Sequence, residues 1–259
     1  MGYFSVILLV EGDTMKNFIE LNKKYQQILA KGFIQSVNNY KNGAGYTLEN
    51  ELGSTGGDFN VPDFLDIEIK TINKFTNSTI DLFSCAPDGY HFPASQWLAE
   101  NFGYPDRDYK DIKVLKGEVY GNKKHHIGYI YEYKLHVDEL KKRIELHIFK
   151  YNKLINNEIY WDFDSLKEKL IRKDNKLALF EFERKRINSI NYYKYDSLIM
   201  YKLKSFEDFI KLINYGTIYV VFKVGVHKSG IYKGKLSDHG TSFRISIYDL
   251  EKLFNHVII

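Results

Sequence analysis

Gly45–Thr71 reads GYTLENELGSTGGDFNVPDFLDIEIKT. It crowds Glu49, Glu51, Asp58, Asp63, Asp66 and Glu68 around one lysine, Lys70. The end of the stretch, FLDIEIKTI, alternates apolar and polar residues, the pattern of a half-buried strand. Residues i and i+2 of a strand share a face, so Glu68 and Lys70 project together. Asp63, after a proline, can turn its carboxylate back to the same place. Two readings follow. One is a solvated sheet face, on which Glu68 and Lys70 form a weak surface pair joined by Asp66. The other is a site for a hard cation, in which Asp63, Glu68 and the backbone carbonyl of Ile69 offer oxygen ligands suited to Mg²⁺ with retained waters.

The second reading has a definite chemistry. Hydrolysis of a phosphodiester must overcome the negative charge of its substrate. A metal neutralises the phosphate and acidifies its bound water, and a lysine beside it stabilises the charge that builds during attack. Glu49, on a preceding helical segment, offers a third carboxylate to the metal or to its water. Spacing alone does not choose between the two readings.

The rest of the chain bounds the answer. Its 259 residues suffice for one large mixed domain or two small ones. The net charge of +4 is compatible with a polyanionic partner and does not identify one. Cys85 is the only cysteine, which excludes an internal disulfide and fits a reducing cytoplasm. The apolar run YFSVILLV near the start is too short to span a membrane and lacks the flanks of a signal peptide. Residues 1–14 are either an added strand or an upstream start before Met15.

Strand-like and helix-like segments alternate, giving an α/β or α+β class with a sheet of mixed direction. Residues 15–37 have helical spacing, with Gly32 dividing them into two helices. YTLENELG reads as a helix capped by Thr47 and ended by Gly53. FLDIEIKTI and TIDLFSC read as a hairpin. WDFDSLKEKLIRK and SFEDFIKLINYG read as helices, the second capped by Ser205. LALFEFER and TIYVVFKVGV read as strands.

Two basic stretches are candidates for nucleic acid. VHKSGIYKGKLSDHGTSFRI places Lys228, Lys233, Lys235, His239 and Arg244 in and after a glycine-bearing loop. Arginine and lysine read guanine in the major groove, and Asp238 can accept from cytosine. The bland alternative is a basic surface hairpin. ERKRIN supplies Arg184, Lys185 and Arg186, cations that suit phosphates and carry no base information, or simply a solvated turn. Lys173 and Lys176 are weaker candidates.

The ordered series GFIQS, GAGYTLENELG, VPDFLDIEIKT, STIDLFSCAPDG, YWDFDSLKEKL and DHGTSFRISIYDLEKLF, running from Gly32 to Phe254, resembles the MvaI/BcnI family of type II restriction endonucleases. These are PD-(D/E)xK nucleases related to MutH. The stretch YGNKKHHIGYIY, Tyr120–Tyr131, departs from the family pattern. The resemblance implies a restriction-endonuclease-like core with two lobes around a DNA cleft. It implies Asp63 and Glu68 as metal carboxylates, Lys70 as the catalytic lysine, Glu49 as a helix-borne acid, and His239 and Arg244 as base readers. It further implies a Mg²⁺-dependent monomer that cuts double-stranded DNA at a short site one strand at a time, with a cognate DNA methyltransferase as system partner. The expectation is a single nuclease domain over 1–259, with a catalytic lobe over about 15–135 plus a returning strand near 176–184, and a recognition lobe mainly over 136–175 and 190–259. A MutH-like repair nickase and a non-catalytic DNA-binding protein are the alternatives.

Overall fold

The computed structural model describes residues 12–38, 40, 42–54, 61–76, 78–88 and 93–259. The YFSVILLV run and Asp58 lie outside them. In chain order the first elements are helix α1 (Gly12–Lys31), strand β1 (Ile34–Gln35), helix α2 (Gly43–Leu52), strands β2 (Glu68–Asn73) and β3 (Thr79–Ser84), and helix α3 (Ala94–Phe102). Strands β4 (Tyr104–Pro105), β5 (Lys113–Val119), β6 (His125–Ile127), β7 (Tyr131–Asp138), β8 (Arg143–Lys150), β9 (Lys153–Asn156) and β10 (Tyr160–Asp162) follow, then helix α4 (Phe163–Asp174). The last part holds strands β11 (Lys176–Ile187) and β12 (Ile190–Leu203), helix α5 (Phe206–Asn214), strands β13 (Ile218–Val226) and β14 (Leu236–Ser246), short helix α6 (Leu250–Leu253) and strand β15 (Phe254–Val257).

The chain divides into two compact units. The first takes the described residues up to Ile80, Leu170–Lys204 and Leu250–Ile259; the second takes Asp81–Lys169 and Ser205–Asp249. These limits differ from the expected lobes. Residues 81–135 join the second unit because β5 pairs with β13. Residues 190–204 and 250–259 join the first because β12 pairs with both β11 and β15.

The first unit is built on one sheet, ordered β1-β12-β11-β2, with β15 also on β12. β2 is its edge strand and runs parallel to β11, with Glu68 opposite Leu177 and Lys70 opposite Leu179. Leu177, Ala178, Leu179 and Phe180 are fully or nearly fully buried, the continuous apolar run of a strand covered on both faces. α1 and α2 cover one of those faces through Phe18, Leu21, Ile28, Leu48 and Leu52.

The expected hairpin of β2 and β3 does not form. β2 extends its parallel ladder through the Lys74 N–H to the Phe182 carbonyl (3.1 Å), while β3 belongs to another sheet, ordered β3-β14-β13-β5-β4. The buried β11 is the better partner for β2, although it lies far away in sequence. Gly32 ends α1 at φ 65° and the chain goes into β1 rather than a second helix. Thr47 sits inside α2, not at its start. Its Oγ1 donates to the Gly43 carbonyl (2.7 Å) and accepts from Val37 N–H (3.2 Å). Gly53 does end α2, at φ 75°, with Ser54 N–H closing on the Glu49 carbonyl (2.9 Å). Ser205 caps α5 through Asp208 N–H (3.0 Å).

In the second unit a further sheet, β10-β8-β7-β6 with β9 on β8, buries Tyr133, Leu135, Ile144, Leu146 and Ile148 on one face. Its other face carries a buried carboxylate, Glu145, 2 % exposed. Arg143 donates to its Oε1 through Nε (2.9 Å) and Nη2 (2.6 Å), Lys141 adds a third bond (3.0 Å), and His147 Nε2 lies 2.9 Å from Oε2. Burial raises the Glu145 pKa, but these partners outweigh it and hold the carboxyl down at about 2. A depressed carboxyl stabilises the fold fully above its ordinary pKa of 4.5, and that contribution fades as pH falls toward about 2. Glu145→Gln should therefore lower stability at neutral pH and flatten the acid limb of a denaturation-versus-pH profile.

Candidate active site

Asp63, Glu68 and Lys70 converge at the open edge of the first unit's sheet. A tight turn makes this possible. Phe64 and Ile67 exchange backbone hydrogen bonds (3.0 and 2.8 Å) across Leu65–Asp66, and Leu65 takes φ 54°. A leucine in the left-handed region is strained at a cost of about 1 kcal/mol or more. The reversal brings Asp63 beside β2, where its Oδ2 accepts from Ile69 N–H (3.0 Å). The N–H and C=O of one strand residue point to the same side, so the Ile69 carbonyl opens on that edge as well.

Glu68 is 4 % exposed. Lys70 Nζ donates to its Oε1 at 2.7 Å. Lys173 Nζ, from the last turn of α4, lies 2.7 Å from Oε2. That second contact is an ion pair lacking hydrogen-bond geometry, because Oε2 has no hydrogen-bond partner among the described residues. Lys173 donates instead to the Val61 carbonyl (2.9 Å).

The charges act on one another. Burial, then the Glu68 carboxylate, raises the Asp63 pKa against the pull of the Ile69 N–H and the two lysines. Burial, then Asp63 and Glu68, raises Glu49, so α2 does deliver Glu49 to this cluster. Burial opposes the charge on Lys70, but Glu68, Asp174 and Asp63 outweigh it and hold the ammonium above its ordinary pKa. Asp174 is fully buried, and neither carboxylate oxygen has a hydrogen-bond partner among the described residues. Burial drives its pKa far up, while Lys70 opposes.

Sequence reasoning placed the four residues of this cluster and ranked Lys173 low. It missed Asp174, whose only signal was adjacency to Lys173. Asp66 and Lys176 are paired with each other, with Asn17 Nδ2 also donating to Asp66 (2.8 Å), and stand apart from the cluster.

The residues present fit a small divalent cation. Asp63, Glu68 and the Ile69 carbonyl are hard oxygen donors, and one buried Glu68 oxygen lacks a hydrogen bond among the described residues. No group of three or more His, Cys, Asp or Glu gathers in metal-binding geometry among the described residues, so solvent would complete the shell, as Mg²⁺ prefers.

The predicted DNA contacts fall into two groups. Arg184, Lys185 and Arg186 belong to β11, beyond its buried part, rather than to a turn; the turn is Asn188–Ser189. Arg184 lines a polar hollow of about 340 Å³ with Asn42, Gly45, Thr71, Asn73 and Tyr193. In the second unit, Lys233 and Lys235 are exposed in the loop before β14. Asp238 and His239 lie in β14, not in the loop. Asp238 accepts from Gly240 N–H (2.8 Å), and His239 Nε2 lies 3.0 Å from Ser237 Oγ. Arg244 Nε donates to Asp81 (2.7 Å), whose other oxygen takes Lys223 (2.7 Å). Lys228 is paired with Asp106 and Asp108.

An acid–acid–lysine set thus meets at a sheet edge beside a helix that carries a further acid, the grouping expected from the resemblance to a nuclease. The chain belongs to the MvaI/BcnI restriction endonuclease family, whose model matches residues 22–254. It is similar to the solved structure titled "Restriction endonuclease MvaI-cognate DNA substrate complex", at 31% identity and TM-score 0.82, covering 90% of this chain and 94% of that one. It is also similar to "Restriction endonuclease MvaI in the absence of DNA", at 28% identity and TM-score 0.61, covering 96% and 98%. The chain has no match among curated proteins. The expected mixed α+β fold is borne out, and the protein is a type II site-specific deoxyribonuclease. Restriction endonucleases of this kind generally use divalent metal ions. No helix among the described residues is long and apolar enough to cross a membrane.

Asp63 is more easily protonated in the folded chain than in the unfolded one. Its contribution therefore favours folding below the ordinary carboxyl pKa and is lost as pH rises through the higher folded value. With chelator present, Asp63's contribution to the parent's stability should decline as pH rises from about 4. Asp63→Asn, which keeps an oxygen for Ile69 N–H, should lessen that decline in urea melts across pH.

Proposed function

We propose that the chain is a Mg²⁺-dependent restriction endonuclease that hydrolyses one strand at a time at a short site in double-stranded DNA. In this reading it acts as a monomer in the cytoplasm, alongside a cognate methyltransferase. The observation that carries it is the convergence of Asp63, Glu68, Lys70 and the Ile69 carbonyl at one sheet edge.

Asp63, Glu68 and the Ile69 carbonyl would hold the ion, which when bound neutralises phosphate charge and acidifies water. Lys70 is kept protonated by the carboxylates around it. It is therefore a donor rather than a base, and it stabilises the charge that gathers on the phosphate during attack. Glu49 is close enough to this cluster to feel its charges and serves to orient water. Arg184 places a cation in the hollow beside Thr71, next in sequence to Lys70, and with Lys185 and Arg186 it holds phosphates. Arg244, steadied by Asp81, and His239 read bases, with Asp238 as an acceptor and Lys228, Lys233 and Lys235 supporting the backbone.

Plasmid or phage DNA incubated with the protein and Mg²⁺ should give discrete fragments. Lys70→Ala and Glu68→Gln should each lower the rate by about 10²–10³-fold or more. Unchanged cutting by Lys70→Ala would overturn the assignment of the site. Arg184→Ala should retain site preference while reducing the salt dependence of DNA binding by about one counterion, as measured by binding titrations at several salt concentrations.

A further inference from the structure

We propose that Lys173 is a resident counter-ion of the metal site: its ammonium occupies the metal-facing oxygen of Glu68 and is exchanged for the divalent cation. This rests on the reading that Asp63 and Glu68 hold the metal.

A buried ionised carboxylate must be compensated. Glu68 has two cations, and they are not equivalent. Lys70 shares its strand and makes a directed hydrogen bond to Oε1. Lys173 comes from a different element, α4, and its side chain is only 12 % exposed, unusual for a lysine. It meets Oε2 at 2.7 Å without hydrogen-bond geometry, while its directed bond goes to the Val61 carbonyl.

Lys173 can therefore leave Oε2 and keep its anchor on Val61. The oxygen it would vacate has no hydrogen-bond partner among the described residues. The acids of the cluster leave room for more positive charge than two lysines supply: Glu49, Asp63 and Glu68 all act on one another. A divalent cation on Oε2 adds that charge, and the displaced ammonium stays within the site.

Exchange has a measurable consequence. A ligand that must displace a resident group binds more weakly by the fraction of time its site is free. Calorimetric titration of the full chain with Mn²⁺, without DNA, tests it. Lys173→Met should bind Mn²⁺ about tenfold more tightly than the parent, if Lys173 covers Oε2 roughly nine-tenths of the time. Lys173→Arg should stay near the parent, and Glu68→Gln should lose the site. In thermal melts, Lys173→Met should be less stable than the parent in chelator and should recover on adding Mn²⁺.

Lys173→Met binding no tighter than the parent, while Glu68→Gln loses binding, would overturn the exchange and leave the metal site standing. A loss of stability that Mn²⁺ does not restore would make Lys173 a structural clamp. Parent-like binding by Glu68→Gln would overturn the metal-site reading, and the exchange with it.

Discussion

A carboxylate buried to 4 % exposure, with one ammonium on each oxygen, organises the first unit. On an open strand face, Glu68 and Lys70 would be a surface pair contributing at most about 1 kcal/mol. Parallel pairing with the buried β11 changes that. It takes Glu68 out of water, so the charge must be matched by protein groups, and those groups must come from elements that pack around β2. The turn at Leu65–Asp66 returns Asp63, the last turn of α4 supplies Lys173 and Asp174, and α2 supplies Glu49. Leu65 carries backbone strain in that turn, tolerated where the reversal sets Asp63 against Ile69 N–H.

The second unit handles charge differently. Its cations are fixed by acids that are themselves anchored. Asp81 holds both Lys223 and Arg244. Burial raises the Asp81 pKa, but the bonds from Arg244 and Lys223 outweigh it and keep the carboxyl below its ordinary range. A guanidinium held this way loses less conformational freedom on meeting a base edge than a free one does. Lys233 and Lys235 remain on the loop, where steering of a polyanion needs charge but no fixed geometry. Both arrangements suit a chain whose family acts on DNA.

The sequence revealed the local parts and not the long-range ones. Alternation in FLDIEIKTI placed Glu68 and Lys70 on one face, Gly53 marked the end of α2, and Ser205 marked the start of α5. Each depends on neighbours within a few residues, where pattern and mechanism coincide. The partner of β2 did not follow, because the nearest strand in sequence competes poorly with an apolar strand more than a hundred residues away, and alternation says nothing about which strand pairs with which. Lys173 was ambiguous for the same reason. In KLIRKDNK every cation resembles a solvated helix end, yet Lys173 turns to Glu68 and Lys176 to Asp66. Setting aside the solvated-strand reading needed the burial of Glu68, which no spacing supplies. Thr47 was misplaced because a threonine at a helix start and one bonding back to the carbonyl four residues earlier look alike in sequence.

The balance of charge also bears on the order of events at DNA. A scissile phosphate brought against Glu49, Asp63 and Glu68 would meet repulsion at short range, in surroundings where it is poorly screened. In the proposed reading, Lys70 and Lys173 would offset part of it without a metal, and so would reduce the cost of bringing a phosphate to the edge of β2. The same two ammonium groups oppose a divalent cation at the same carboxylates. In the proposed reading, a single pair of lysines would thus work in opposite directions on a phosphate and a divalent cation. In the proposed reading, a phosphate and a cation bound together would compensate each other and release Lys173 from Glu68, so occupancy by both would be favoured over occupancy by either alone. Such coupling is reciprocal: whatever DNA gains from the ion, the ion gains from DNA.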